Sequence, residues 1–340
     1  RVLEVLRREL DWLARTSPPT GCAGLVSAIA WARDVPEDSI LTGGGSSYLI
    51  YLALPRWLTA DSRVLLLDPT YGEYAHVLER VIGCAVDRLV LDGREEYAVN
   101  LERLEEALRR NHDMVILVNP NSPTGRHAPA DAMREVLRRA PVETRVWVDE
   151  TYVEYAGPGQ SLESLAANSE NVIVCKSMSK VYALSGLRVA YLCAGPHQLE
   201  PLRAWTPPWA VGLPGQVAAV EALGDPGYYA ARYRETHVLR EELAVRLGGL
   251  GLRVIPGVAN FLLCHLPEEA PEASAVVKAC RLEGLFLRDA SPMGTALGRR
   301  ALRIAVKDGG TNDRMIQVLG AVLRRMEPGL GARFAEKAVV

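Results

Sequence analysis

The chain has 340 residues, 49% of them hydrophobic and 24% charged, with a formal net charge of −2. That length suits one large domain plus a smaller one, and the near-neutral balance argues against a nucleic-acid or membrane-surface partner. Six cysteines without a CxxC pair and six scattered histidines speak against a disulfide framework and against a zinc site, so no metal is expected and a reducing, cytoplasmic setting is.

The chain opens on Arg1, already in a helical pattern set by Val2, Leu3, Leu6, Leu10 and Leu13. Residues 1–36 are therefore read as an N-terminal helical segment, with an arm expected upstream of it. Short apolar runs then alternate with helical patterns. Ile40–Thr42 reads as a strand, leading through Gly43–Ser47 into a helix over Tyr48–Trp57. Val64–Leu67 is a strand, followed by Asp68-Pro69-Thr70-Tyr71 and a helix near Glu73–Ile82. Strands are expected at Val86–Leu91, Met114–Val118, Arg145–Val148, Asn171–Cys175 and Val189–Cys193, with helices at Leu101–Arg110 and Ala130–Arg139. Seven strands alternating with helices, apolar without alternation, predict a three-layer α/β/α domain around a mostly parallel seven-stranded sheet covered on both faces.

Pro207-Pro208 breaks this rhythm, and a long helical stretch runs from about Pro214 to Leu247, interrupted near Gly224–Gly227. Beyond it lies a smaller α+β portion: strand-like Phe261–Cys264, a helix near Ala273–Glu283, strand-like Leu285–Arg288 and Leu302–Val306, and a last helix over Asn312–Met326. The expected division is a large domain over 37–213, a connecting helical region over 214–248 and a small C-terminal domain over 249–340. Cys175 and Cys193 fall in apolar runs and are expected to be buried strand thiols. No apolar run reaches the roughly 18 residues that span a bilayer.

In such a sheet a ligand lies beyond the carboxyl ends of the strands, and four polar clusters fall there. Gly43–Ser47 sits at a strand-to-helix junction, where glycines let the backbone bend and the helix offers free N–H groups to an anion; a plain turn is an equal reading. Ser177-Met178-Ser179-Lys180, with Arg188 eight residues on, places an amine able to form a Schiff base beside hydroxyl and guanidinium donors suited to a phosphate; alone, the string also suits a surface loop. Asp149 closes Val146-Trp147-Val148 and could cap a helix, bind a metal or hold a cationic ligand nitrogen, with Tyr152 three residues on. Asn119–Gly125 makes a rigid loop at a strand end.

Together these strings resemble the fold-type I pyridoxal 5′-phosphate (PLP) enzymes of the class I/II aminotransferase family, over nearly the whole chain from Gly43 to Arg303. The motifs Asp149-x-x-Tyr152, Ser177-x-x-Lys180 and Arg188 match that family in order and spacing. The resemblance implies the PLP transferase fold, a homodimer, and amino-acid and keto-acid substrates. It makes Lys180 the Schiff-base lysine and proton shuttle, pairs Asp149 with the pyridine nitrogen and Tyr152 with the phenolic oxygen, and stacks Tyr71 on the ring. It puts Gly45, Ser46, Ser47, Ser177, Ser179 and Arg188 around the phosphate, and Arg303 on the substrate carboxylate. Leu184–Arg188, Ala259-Asn260-Phe261 and Leu287-Arg288-Asp289 look like the histidinol-phosphate aminotransferase subgroup, to which threonine-phosphate decarboxylase is very similar; Asn260 and Arg288 join the substrate side on that basis. Two positions depart from the pattern. Ser122 stands where the family has asparagine before Pro-Thr-Gly, so either Ser122 fills that role or Asn121 shifts in. Thr16 is nearest to a tyrosine that reaches the neighbouring subunit's phosphate.

Overall fold

A mixed sheet of seven strands carries the larger part of the molecule in the computed structural model, which describes residues 1–326. The strands are β1 (Ile40–Gly43), β2 (Arg63–Asp68), β3 (Ala85–Val90), β4 (Met114–Val118), β5 (Arg145–Asp149), β6 (Val172–Ser177) and β7 (Ala190–Cys193), in the order β1-β7-β6-β5-β4-β2-β3. β7 runs antiparallel to both β1 and β6, and the other pairs are parallel. The carboxyl ends of β1, β2, β4, β5 and β6 therefore share one edge, and the segment just before β7 reaches that edge from the other direction.

Helices cover both faces. Three precede the sheet: α1 (Val2–Arg8), α2 (Leu10–Arg15) and α3 (Ala23–Arg33). Between strands come α4 (Ser46–Trp57), α5 (Gly72–His76), α6 (Leu101–Leu108), α7 (Ala130–Leu137), α8 (Glu163–Ala167) and α9 (Met178–Val181). After β7, α10 (Pro196–Arg203), α11 (Leu213–Leu223) and α12 (Pro226–Gly249) lead to a second, antiparallel sheet. It contains β8 (Arg253–Ile255), β9 (Phe261–His265), β10 (Arg288–Asp289) and β11 (Ala301–Ala305), ordered β10-β11-β9-β8, with α13 (Ala273–Leu282) and α14 (Gly309–Met326) packed on it.

The central strands are apolar on both faces because both are covered. On β5, Val146 and Val148 join the cluster beneath α3, α7 and α11, while Trp147 joins the opposite cluster beneath α4 and α5. Each fully buried aliphatic side chain there contributes about 1.5–3 kcal/mol relative to exposure. Cys175 and Cys193 are buried strand residues, and all six cysteines are free. Among the described residues no helix is long and apolar enough to cross a membrane.

The structure corrects two local expectations. The helix over Glu73–Ile82 is α5 followed by a π-helical turn over Val77–Ile82, closed at Gly83 with φ +87. Leu285–Arg288 is not a strand: only Arg288 and Asp289 pair with β11, while Leu285 and Leu287 pack on the small-sheet core without ladder bonds. The long helical stretch is interrupted where the sequence placed the break: α11 ends at Leu223 and α12 starts at Pro226, because Asp225 leaves helical geometry and its carboxylate caps α12 by accepting from the Tyr228 N–H, an N-cap that favours a fresh start. The three-residue β8 was too short to stand out as an apolar run.

Candidate active site

The polar clusters converge at the shared carboxyl edge. β1 ends at Gly43 and turns through Gly45, at φ +100, into α4, whose first turn has no side-chain cap. β2 ends at Asp68 and places Tyr71 at the start of α5; β4 ends at Val118 before the loop carrying Ser122; β5 ends at Asp149 and β6 at Ser177. Arg188 precedes antiparallel β7. The second sheet supplies Arg288 and Arg303 from across the cleft. A cavity of ≈250 Å³ results, lined by Ser46, Ser47, Tyr71, Ser122, Asp149, Tyr152, Ser177, Ser179, Lys180, Arg188, Arg288 and Arg303, together with Val118, Thr151 and Met293. A roomier cleft of ≈680 Å³ opens near Val142 and Val172, at the amino ends of β5 and β6, and lies away from this chemistry.

Alternation along β5 fixes Asp149. Trp147 and Asp149 point to one face, and Asp149 is buried. Its Oδ1 accepts from the Thr151 N–H at 2.9 Å and the Thr151 hydroxyl at 2.6 Å, and its Oδ2 accepts from the Tyr74 hydroxyl at 2.7 Å. Burial still raises its pKa above the ordinary carboxylate value, against these donors. Such a carboxylate gains most from a cationic partner. Lys180 is open to the cavity, and burial, then Arg303, Arg188 and Lys307, lower its pKa. Those influences favour the neutral, nucleophilic amine. Burial raises the Tyr152 hydroxyl, with nearby Arg303 opposing.

Arg188 sits in the left-handed region at φ +54, uncommon for a residue with a Cβ. Its guanidinium donates to the Ser179 hydroxyl at 3.3 Å and the Ser185 carbonyl at 3.1 Å. A Cβ built on Gly45 would overlap that guanidinium, so only glycine lets the arginine lie against the α4 amino terminus. Free helix N–H groups, Ser46, Ser179 and Arg188 together form a cradle for a phosphate dianion. The Ser47 hydroxyl is engaged by Glu73 at 2.8 Å.

On the other wall, Arg303 donates to the Ser122 hydroxyl at 2.9 Å and its guanidinium lies 4.9 Å from the Phe261 ring centre. In the β10–β11 register, Arg288 is directly opposite Arg303. Like charges opposite each other across strands repel, and Asp149 is the one carboxylate against four cations on the described cavity wall. The cavity is built to receive anions.

Two expected residues do not face it. Asn121 is fully buried: its amide donates to the Pro69 carbonyl and the Thr124 hydroxyl and accepts from the Thr70 hydroxyl, so of the two alternatives it is Ser122 that lines the cavity. Asn260 bonds through its carbonyl to the Val306 N–H, and its side chain lies by the Tyr155 hydroxyl. Gly45 acts through its backbone, and Thr16 ends α2 on the exposed surface. The sequence reading missed Tyr74, Thr151, Val118 and Met293. Thr151 carries a local signal, since an aspartate commonly accepts from the backbone two residues on. Tyr74 carries a weaker one, its three-residue spacing from Tyr71 on a helix start.

The group that fits this wall carries a phosphate for the cradle, a cationic ring nitrogen for Asp149 and a carbonyl for Lys180, which is the make-up of PLP. Residues 12–322 match the family described as Aminotransferase class I and II. A histidinol-phosphate aminotransferase of Anaeromyxobacter sp. (strain Fw109-5) is 32% identical over 308 residues, covering 90% of this chain and 82% of the relative. Among solved structures, the fold is shared with histidinol-phosphate aminotransferase from Sinorhizobium meliloti in complex with pyridoxal-5′-phosphate (TM-score 0.87, 22% identity, 96% of this chain and 87% of that one). It is also shared with L-threonine-O-3-phosphate decarboxylase from Porphyromonas gingivalis (TM-score 0.80, 24% identity, 94% of this chain and 96% of that one).

Proposed function

The chain belongs to the aminotransferase class I and II family, and from that premise we propose that its PLP-dependent transamination serves substrates with a second anionic group, with histidinol phosphate as the first amine to test. The observation that carries this reading is Arg288 opposite Arg303 in a cavity whose described wall holds one carboxylate. A phosphate monoester dianion satisfies both guanidiniums at once. A dicarboxylate such as glutamate does the same with one carboxylate on each, so a single wall serves both halves of an amino exchange. The relatives named for histidinol phosphate support the choice of amine.

PLP, when bound, supplies an aldehyde for the substrate amine and a ring that accepts the electron pair released at the substrate carbon. The residues proposed to hold it are Arg188, Ser179, Ser177, Ser46, Ser47 and the backbone after Gly45 at the phosphate, Asp149 at the ring nitrogen, Tyr152 and Ser122 near the phenolic oxygen, and Tyr71 as a wall against the ring. Lys180, whose pKa is lowered by burial and neighbouring cations, is the nucleophile and the general base for the α-proton. Arg303, fixed by Ser122 and Phe261, holds a carboxylate and thereby decides which bond at the substrate carbon faces the ring. Tyr71, Val118 and Met293 narrow the cavity and limit water.

We further propose a homodimer and a cytoplasmic location. Trp31, Trp205 and Trp209 are 82%, 59% and 59% exposed, an unusual outlay of aromatic surface. The loop carrying the last two abuts Gly44 beside the phosphate cradle through Ala210, so a partner covering it would border the site. Six buried free thiols suit a reducing compartment.

The test mixes PLP-loaded protein with 2-oxoglutarate and either histidinol phosphate or, in a second arm, L-threonine-O-3-phosphate, and follows glutamate in both and carbon dioxide in the second. Glutamate formation with a kcat/KM at least about tenfold above that for unphosphorylated histidinol supports the reading. Equal rates overturn the second-anion assignment, and stoichiometric carbon dioxide from L-threonine-O-3-phosphate without glutamate formation from either amine overturns transamination.

A further inference from the structure

Asp149 is held by more than its own strand, and the direction of its hydrogen bonds follows from donor chemistry alone. Trp147 Nε1 lies 2.8 Å from the Tyr74 hydroxyl, and that hydroxyl lies 2.7 Å from Asp149 Oδ2. An indole nitrogen can only donate, so the Tyr74 oxygen accepts there. Tyr74 has a single hydroxyl proton, and its remaining partner is Asp149. The chain therefore runs one way, from Trp147 to Tyr74 to Asp149. All three residues are buried, and Tyr74 and Trp147 are 0% exposed.

We propose that Tyr74, steered by Trp147, is a positioning residue that keeps Asp149 ionised with one acceptor site free for the cofactor's ring nitrogen. This rests on the PLP reading above. A carboxylate offers about four acceptor sites. Thr151 fills two on Oδ1 and Tyr74 fills one on Oδ2, leaving one on the side that lines the cavity. A proton on Asp149 would occupy that one open site and weaken the three bonds already donated to it, since a neutral carboxyl accepts less strongly than a carboxylate. The network thus selects the anion while burial selects the neutral acid, and a cationic N–H from the cavity settles the balance toward the ion pair.

The surroundings agree with this assignment. The other titratable groups packed on Asp149 are Tyr71 and Glu73 at the start of α5, Cys175 on β6 and Tyr152 after β5, none of which is a cation. The cations Lys180, Arg188 and Arg303 stand on the cavity side. Tyr74 also meets Tyr71 edge-on at 6.0 Å and Trp147 at 6.4 Å. The cavity wall at Tyr71 and the acid at Asp149 are thereby tied to one rigid aromatic unit.

Tyr74→Phe keeps the ring and deletes the donor. Without it the buried pair shifts from carboxylate and ring N–H⁺ toward carboxylic acid and neutral ring. In holoenzyme loaded with ring-¹⁵N PLP, the expected result is a ¹⁵N resonance displaced toward unprotonated pyridine. The visible band should titrate roughly half a unit higher, because the ring loses positive charge, and PLP should dissociate about tenfold more readily, the effect of one hydrogen bond to a charged group. Trp147→Phe should move the same readings in the same direction by less, because Tyr74 keeps its bond to Asp149. Adding Tyr74→Phe to Asp149→Asn should change none of them further. A coloured Tyr74→Phe or Trp147→Phe holoenzyme whose ¹⁵N resonance and titration match wild type overturns the proposal. Should Tyr74→Phe fail to fold, Trp147→Phe alone decides between these outcomes. Wild-type protein that stays colourless with PLP would instead overturn the cofactor reading on which the proposal rests.

Discussion

Asp149 and Glu150 are neighbours in the chain, as are Lys176 and Ser177, yet they belong to two charged clusters on opposite sides of one sheet. Asp149 and Ser177 enter the cavity, whose described wall sets four cations against one carboxylate. Glu150 and Lys176 enter a buried cluster with Arg33, Glu154 and Glu163. There Lys176 Nζ lies 2.8 Å from Glu154, off the angle of a hydrogen bond, with Glu150 and Glu163 at 3.7 and 3.6 Å. Arg33 reaches Glu154 at 2.8 Å and Glu163 at 3.6 Å. Local donors serve two of the acids: Ser161 and the Leu162 N–H donate to Glu150, and Tyr191 donates to Glu163, while Glu154 Oε2 is left without a hydrogen-bond partner among the described residues. Burial lowers the Lys176 ammonium, but the surrounding carboxylates outweigh it and raise its pKa. One cluster pairs its own cations with its own carboxylates, and the other holds cations that only a ligand can pair. Charge balance, more than burial or sequence proximity, separates the structural cluster from the functional one.

That distinction breaks first at the two lysines. Lys180→Ala should lower transamination by at least about 10³-fold, the scale of a lost nucleophile and general base, and abolish the PLP absorption band while leaving the unfolding midpoint nearly unchanged; a retained band would sink the assignment. Lys176→Met should do the reverse. It strands three carboxylates beside one arginine and should destabilise the fold by about 3–5 kcal/mol in urea denaturation, with the position and pH titration of the band unaltered.

A third test uses pH. Burial, opposed by Lys176 and helped by Glu163, raises Glu150 from its ordinary 4.5 to about 7. Between those values the folded state binds the extra proton, so this group's contribution is greatest below about 4.5 and is lost as pH rises through 7. Glu163 is shifted the other way, burial being outweighed by Lys176 and Arg33, so its contribution fades only as pH falls below the ordinary glutamate range. Glu150→Gln should therefore flatten a slope on the order of 2 kcal/mol between about pH 5 and pH 8, and an unchanged slope would show that Glu150 does not titrate there. The smallest effect is expected at Ser122→Ala. Losing one hydrogen bond to Arg303, worth about 1 kcal/mol, should raise KM for carboxylate substrates roughly fivefold at unchanged kcat.

Much of the site was legible because its signals are local. Lys180, Asp149, Tyr152, Ser177, Ser179 and Arg188 sit at fixed distances from strand ends, and an apolar strand ending in a polar residue announces itself over half a dozen positions. The same locality hid the partners. Tyr74 lies 75 residues from Asp149, Arg33 lies 121 from Glu154, and Thr295 meets Asp68 across 227. No pattern along the chain marks such pairs.

The sequence by itself therefore determined the order of strands and helices and the places of Lys180, Asp149 and Arg188 next to strand ends, since backbone propensity and strand-end position act over a few residues. Only the tertiary structure decided that Ser122 and not Asn121 meets the cavity, that Arg288 faces Arg303, and that Asp149 and Glu150 part company. Those outcomes depend on which face a side chain takes and which register two strands adopt, and both are set by packing between segments far apart in the chain.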